Sequence, residues 1–281
     1  MIVEHTVAGI RSAGSRRLRA VVMTMGALHE GHATLIREAR ESVGETGTVL
    51  VSVFVNPTQF GAGEDFDRYP RTLETDVVIA EAAGADTVFA PDAEAVYGPA
   101  RGFEEGSVTV DPGPLGEILE GASRPGHFRG VLTVVAKLLG MTRPDVALFG
   151  EKDYQQLVLI RRMVDDLSMP VEVVGVPTVR DADGLAMSSR NRFLSPDERA
   201  LATAIPRALD TVERCLTDGV DAAVAQGMDV LRGTPGVDVD YLTVTGVDLG
   251  PAPVRGPARA LIAANVGSTR LIDNRAVTVA P

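Results

Sequence analysis

Two histidines stand three residues apart in the segment Met25-Gly26-Ala27-Leu28-His29-Glu30-Gly31-His32, and the 281-residue chain has only four histidines. An imidazole pair at a helix start can hydrogen-bond phosphate oxygens, which the N–H groups and positive dipole end of the helix also attract. The same spacing suits a metal ion or simple packing, although it falls one residue short of the His-Glu-x-x-His pattern. Gly26 permits a tight turn at the end of a strand, and Gly31 lets a ligand approach the backbone. A second candidate is Gly150-Glu151-Lys152-Asp153. Asp153 with Gln156 three residues on fits a helix-capping box. Lys152 would then sit at a helix N-terminus, where a compact ammonium suits the charge that develops on a transferring phosphoryl group. Only Lys137 and Lys152 are lysines; the other 25 basic residues are arginine. That bias reads as codon usage, and it makes a retained lysine conspicuous because the two cations differ in chemistry.

Three more segments carry polar groups at predicted loop positions. Gln59, in Asn56-Pro57-Thr58-Gln59-Phe60, places an amide where it reads a hydroxyl or a carboxylate, or serves as an ordinary turn residue. Met187-Ser188-Ser189-Arg190 offers two hydroxyls and a guanidinium, suited to clamping phosphate, and its place at a domain boundary suits a mobile lid as well as a surface loop. Arg124-Pro125-Gly126-His127-Phe128-Arg129-Gly130 is a further basic segment before a helix. Lys137 lies amid apolar residues beyond it, paired with a buried acid or reaching the site. His5 and Cys215 read as structural.

The elements that must position these groups follow from hydrophobic periodicity. Strand-like apolar runs at Ala20–Met25, Val49–Val55, Thr87–Ala90, Val146–Phe149 and Val171–Val179 alternate with helix-like runs at 35–43, 73–83, 130–139 and 154–167. Continuous apolar strands between helices indicate βαβ units and a parallel sheet covered on both faces. The expected fold is α/β: a Rossmann-like doubly wound domain over residues 1–179 and a smaller α+β lid domain over 180–281. In the latter, Ser195-Pro196-Asp197-Glu198 is a strong helix start, from which one long helix should run to about Thr217. Strand-like pieces follow at Asp240–Thr245, Ala260–Ala264, near Leu271 and near Val277, and the stretch 246–256 reads as a loop.

Several classes are excluded. Net charge is −11, which argues against a surface for nucleic acid or anionic membrane. One cysteine rules out a disulfide framework or a cysteine-rich metal site. There is no Gly-Lys pair and so no Walker loop. Gly61-Ala62-Gly63 lacks the third glycine of a dinucleotide fingerprint, and no Gly-x-Ser-x-Gly elbow occurs. Residues 1–19 show no leader pattern, and no apolar run approaches the roughly 18 residues of a membrane span. A cytoplasmic protein is expected.

Together the segments resemble the pantothenate synthetase (pantoate–β-alanine ligase) family: MGALHEGH at 25–32, VNPTQFG at 55–61, YPRT at 69–72, RPGHFRGV at 124–131, FGEKDYQQL at 149–157, DGLAMSSRNR at 183–192 and STRLIDN at 268–274. More loosely, the histidine turn and the Met-Ser-Ser-Arg loop are similar to the HIGH and KMSKS elements of class I aminoacyl-tRNA synthetases and related nucleotidyltransferases. The family's Pro-Thr-Met opening is here Met23-Thr24-Met25, without that proline's rigidity. The resemblance implies that Met25, Gly26, Ala27, Leu28, His29, Glu30, Gly31 and His32 line an ATP site. It adds Gly150, Glu151, Lys152 and Asp153 to that site, with Val179 contacting adenine or ribose through its backbone. Met187, Ser188, Ser189 and Arg190 would close over the triphosphate. Gln59 and Gln156 would hold pantoate, and Gln59 would also help to place β-alanine. Catalysis would rest on His32, His29, Lys152 and Arg190. The implied reaction condenses pantoate with β-alanine through an acyl adenylate, needing no covalent enzyme nucleophile. Mg²⁺ is expected with ATP, its protein ligands not legible, and a homodimer is expected. A nucleotidyltransferase that releases its nucleotidyl product, a tRNA-acting synthetase and a non-catalytic nucleotide-binding module are the competing readings. The two glutamines disfavour the first, and the net charge and lack of an anticodon domain disfavour the second.

Overall fold

The computed structural model describes residues 1–12, 17–61, 66–98 and 107–280; Ala62 and Gly63 of the glycine run weighed above lie outside them. Contacts divide the chain into two compact units: residues 1–150 with 156–176, and residues 151–155 with 177–281. The sequence reading put the boundary between residues 179 and 180. The division instead falls after Val176 and assigns the Glu151–Gln155 turn to the second unit.

The first unit holds β1 (Ile2–Glu4), α1 (Val7–Ser12), β2 (Arg19–Thr24), α2 (Glu30–Val43), β3 (Thr48–Val53), α3 (Leu73–Ala82), β4 (Thr87–Phe89), α4 (Ala93–Tyr97), α5 (Glu120–Ser123), α6 (His127–Thr142), β5 (Val146–Gly150), most of α7 (Tyr154–Asp166) and β6 (Glu172–Val176). The strands pair in parallel in the order β1-β4-β3-β2-β5-β6. Both faces are apolar because alternate strand residues serve different helices. Val21, Leu50, Phe89 and Ala147 face one cluster with residues of α1, α6 and α7. Ala20, Val22, Val49, Val51 and Leu148 face the other, with α2 and α3. From β2 the chain moves outward through β3 and β4, then returns to the other side as β5 and β6. The order therefore reverses between β2 and β5. In open α/β sheets, ligands bind at the carboxyl ends of the strands flanking that reversal.

The second unit holds α8 (Pro196–Ala202), α9 (Ala204–Cys215), α10 (Val220–Arg232) and an antiparallel sheet β7-β8-β9, from Val237–Gly246, Gly256–Val266 and Thr269–Val279. The Ser195–Glu198 capping box forms as expected, with Pro196 in the first turn. The single long helix does not. It breaks after Ala202, because Pro206 has no N–H for the Ala202 carbonyl and its ring would clash there. The pieces near Leu271 and Val277 are one strand, β9. The sequence reading missed α10, whose mid-helix glycine breaks the helical pattern. A β-carbon on Gly227 would stand 2.7 Å from Val212 Cγ2 and 2.8 Å from Leu242 Cδ2, so the glycine is what lets α10 lie against α9 and β7. Among the described residues no helix is long and apolar enough to cross a membrane.

Candidate active site

In the first unit the candidate residues gather at the carboxyl edge of the sheet. β2 ends at Thr24, and the chain turns through Gly26 at φ +84° and Ala27 at φ +51°. His29 is the N-cap of α2 and His32 its third residue, and together they build a capping box out of imidazoles. His29 Nδ1 accepts from Gly31 N at 3.2 Å, and His32 Nδ1 accepts from His29 N at 3.2 Å. The two rings stand 4.1 Å apart, tilted by 43°. An Nδ1 that accepts a backbone N–H carries no proton, so the donor of each ring is Nε2–H. Each ring thus presents its Nε2 side away from the cap. Glu30 faces Arg37 in an exposed ion pair.

The turn after β3 is held from several sides. Asn56, buried, accepts at Oδ1 from Tyr97 Oη at 2.6 Å and from Thr58 Oγ1 at 2.9 Å. Its Nδ2 donates to Gln59 Oε1 at 3.0 Å. Gln59 Nε2 reaches Met25 Sδ at 3.2 Å, which ties this turn to the histidine turn. Burial raises the Tyr97 pKa, partly offset by its contact with Thr58, so the phenol stays a donor. The segment Arg124–Gly130 braces the same turn: His127 Nδ1 lies 2.8 Å from the Gln59 carbonyl oxygen, and Arg124 donates to that carbonyl at 3.4 Å. Lys137 pairs with no acid among the described residues; its ammonium lies 5.4 Å from the centre of the Tyr97 ring. A β-carbon on Gly130 would run into the Thr58 carbonyl and stand 2.8 Å from Gln59 Cα. Gly130→Ala should therefore displace the Gln59 turn, costing about 1–3 kcal/mol of stability. Thermal unfolding checks this.

Gly150 closes β5 opposite Val176. Gln156 follows in the first turn of α7, half-buried. Since β3, β2 and β5 are neighbours, Gln59 and Gln156 flank the histidine turn at one sheet edge.

The second unit carries the other candidates. The chain does not enter α7 through the expected Asp153 cap but through a 3₁₀ turn, Glu151–Asp153. Asn274 of β9, buried, donates from Nδ2 to the Glu151 carbonyl at 2.9 Å and the Lys152 carbonyl at 2.8 Å. Arg259 fixes Asn274 through Nε at 2.7 Å, pairs with the Glu151 carboxylate at 2.9 Å and lies 4.0 Å over the Tyr154 ring. The Glu151 side chain is thus committed to holding the turn. Lys152 Nζ has a loose contact with Asp153 Oδ1 at 3.7 Å. Sequence reading missed Asn274 and Arg259. Their only signal was the STRLIDN segment and a charged residue inside an apolar strand. Asn274→Ala would leave two carbonyls and a guanidinium short of a partner. A loss of about 2–3 kcal/mol of stability is expected, with the backbone that carries Lys152 coming loose. Denaturant unfolding tests this.

Met187–Arg190 leaves a small hairpin in which Arg180 bridges Ala186 and Met187 N donates to the Val179 carbonyl at 2.9 Å. Bidentate pairing of Arg180 with buried Asp273, at 2.7 and 2.9 Å, anchors it to β9. Arg199 spans Asp181 and Asp183. Burial would raise the Asp183 pKa, but the Leu185 N–H and Arg199 outweigh it and the net shift is downward. Ser188 caps the 3₁₀ helix Ser189–Phe193, its Oγ accepting from Arg190 N at 3.2 Å. The loop is thus a backed, ordered hairpin end. No group of three or more metal-ligating side chains occurs among the described residues.

The chain matches the family model described as Pantoate-beta-alanine ligase over residues 2–276. It is 56% identical to the pantothenate synthetase of Salinispora arenicola, covering 99% of this chain and 98% of that protein. It is 59% identical to that of a Nocardioides species, covering 90% of this chain and 77% of that protein. Among solved structures, the pantothenate synthetase of Thermus thermophilus superposes with a TM-score of 0.90 at 48% identity over the whole of both chains. The pantoate-beta-alanine ligase of Francisella tularensis, described as complexed with beta-gamma ATP and beta-alanine, gives 0.80 at 33% identity over 98% of this chain and 97% of that one.

Proposed function

The chain belongs to the pantoate–β-alanine ligase family, and from that premise we propose how its residues share the work of joining pantoate to β-alanine with ATP. The enzyme is an AMP-forming acid–amine ligase of pantothenate biosynthesis. In the first step a pantoate carboxylate oxygen attacks the α-phosphorus of ATP; the new P–O bond forms as the bridge to the β-phosphate breaks and pyrophosphate leaves. In the second, the β-alanine amine attacks the acyl carbon. The C–O bond to AMP breaks, the nitrogen loses a proton, and AMP departs with that oxygen. Adenylation is needed because AMP is a far better leaving group than oxide.

The observation that carries this reading is the histidine capping box at the sheet's reversal point, with an Nε2–H donor on each ring. His32 and His29 donate to phosphate oxygens of ATP, whose charge the start of α2 also favours. Gln59 and Gln156 hold the pantoate hydroxyls and carboxylate, and Gln59 borders the β-alanine position. Lys152 meets the charge that grows on the leaving pyrophosphate. Ser188, Ser189 and Arg190 bind the triphosphate, and the Val179 backbone meets the adenosine. Asp76 and Glu151 are already spent, Asp76 on backbone N–H groups and Glu151 on Arg259. Mg²⁺ enters as part of the substrate MgATP, held chiefly by phosphate oxygens. A homodimer in the cytoplasm, with no nucleic-acid or membrane partner, completes the proposal.

Exchange of labelled pyrophosphate into ATP tests it. Exchange that requires pantoate and proceeds without β-alanine is expected, while AMP accumulates only when β-alanine is added. Exchange independent of pantoate would overturn the proposal.

A further inference from the structure

The turn that sets the histidines is backbone in an unfavourable conformation. Gly26 and Ala27 are consecutive residues in the left-handed region, at φ +84° and +51°. Glycine takes that region freely, but a residue with a β-carbon resists it. Something must hold Ala27 there. Asp76, in the first turns of α3 and only 1% exposed, lies beneath the turn. Its Oδ2 accepts from Ala27 N at 3.1 Å and its Oδ1 from Leu28 N at 2.8 Å. The Thr72 hydroxyl donates to Oδ1 at 3.2 Å and orients the group. A β-carbon on Gly26 would stand 2.9 Å from Oδ2, so the glycine is what allows the carboxylate this close. No lysine or arginine pairs with Asp76 among the described residues; its partners are two peptide N–H groups and a hydroxyl. A buried carboxylate with such partners is built to grip a backbone segment.

We propose that Asp76 is the positioning residue of the histidine turn. Its carboxylate holds Ala27 and Leu28 in the one conformation that delivers the chain to His29 as an N-cap and fixes both imidazoles toward ATP. The proposal rests on the reading that this turn serves the adenylation step.

The test is a double-mutant cycle read by pantoate-dependent pyrophosphate exchange. Asp76→Asn keeps size and burial, but one of the two N–H groups then faces an amide NH₂ instead of an oxygen. A fall of about 10- to 100-fold in exchange is expected. Ala27→Gly removes the β-carbon that makes the turn costly. Added to Asp76→Asn, it should restore at least about fivefold of the lost rate, which a carboxylate with a merely structural role elsewhere would not allow. An exchange rate for Asp76→Asn within about twofold of the parent would overturn the proposal, and so would a double variant no faster than Asp76→Asn. Should Asp76→Asn fail to fold, Thr72→Val, which frees the carboxylate to rotate, takes its place. It should lose at least about threefold and be rescued by Ala27→Gly, and failure of either overturns the proposal. A parent enzyme without pantoate-dependent exchange would instead refute the adenylation reading, so the two failures are distinct.

Discussion

Lys152→Ala should fold as the parent does and lose about 10²- to 10³-fold in turnover. The two expectations separate because backbone and side chain of this residue have different tasks. The turn is held through the carbonyls of Glu151 and Lys152 by Asn274, itself fixed by Arg259, and none of this uses the ammonium. Among the described residues the ammonium has only the loose contact with half-exposed Asp153, worth little to stability. In the proposed mechanism its value is kept for the transition state, where charge moves onto the departing pyrophosphate; removing one such donor costs about 3–4 kcal/mol in comparable sites. Lys152→Arg should rescue poorly, because a planar guanidinium does not replace a compact ammonium. Single-turnover adenylate formation with a parallel thermal melt measures both quantities. A loss below tenfold would remove Lys152 from the chemistry.

His32→Gln is the second large effect and also separates stability from rate. Glutamine at the third helical position is an ordinary capping-box partner, so its carbonyl can take over the N–H of His29 that His32 Nδ1 now accepts. Stability should change by less than about 0.5 kcal/mol. The rigid ring that carries the Nε2–H donor is lost, and turnover should fall by about 10²-fold or more. His32→Ala removes cap and donor together, so it should add a stability loss of about 1 kcal/mol. Equal melting temperatures for both variants would show that the capping geometry has no energetic weight.

The sheet was legible because each of its longer strands is a short apolar run closed by Gly, Pro or Asn, and the covering helices α2 and α7 have a clear polar face. The short elements β1, α1, α4 and α5 carry too few residues for a periodicity. The break between α8 and α9 depends on one missing N–H at Pro206, and α10 was hidden by Gly227. Among the candidate site residues, His29, His32, Gln59, Lys152 and Ser188 stood out because their side chains are chemically conspicuous at loop positions. Asp76, Asn274 and Arg259 did not, since their partners lie 48, 122 and 108 residues away in sequence. No local pattern encodes a hydrogen bond to a distant backbone.

Oxygen tracing tests the two-step chemistry most directly. Pantoate labelled with ¹⁸O in its carboxylate, turned over with ATP and β-alanine, should yield AMP carrying one ¹⁸O atom, because the oxygen that attacks the α-phosphorus leaves with it. Unlabelled AMP, with ¹⁸O in pyrophosphate or orthophosphate, would show attack at another phosphorus and contradict an adenylate intermediate.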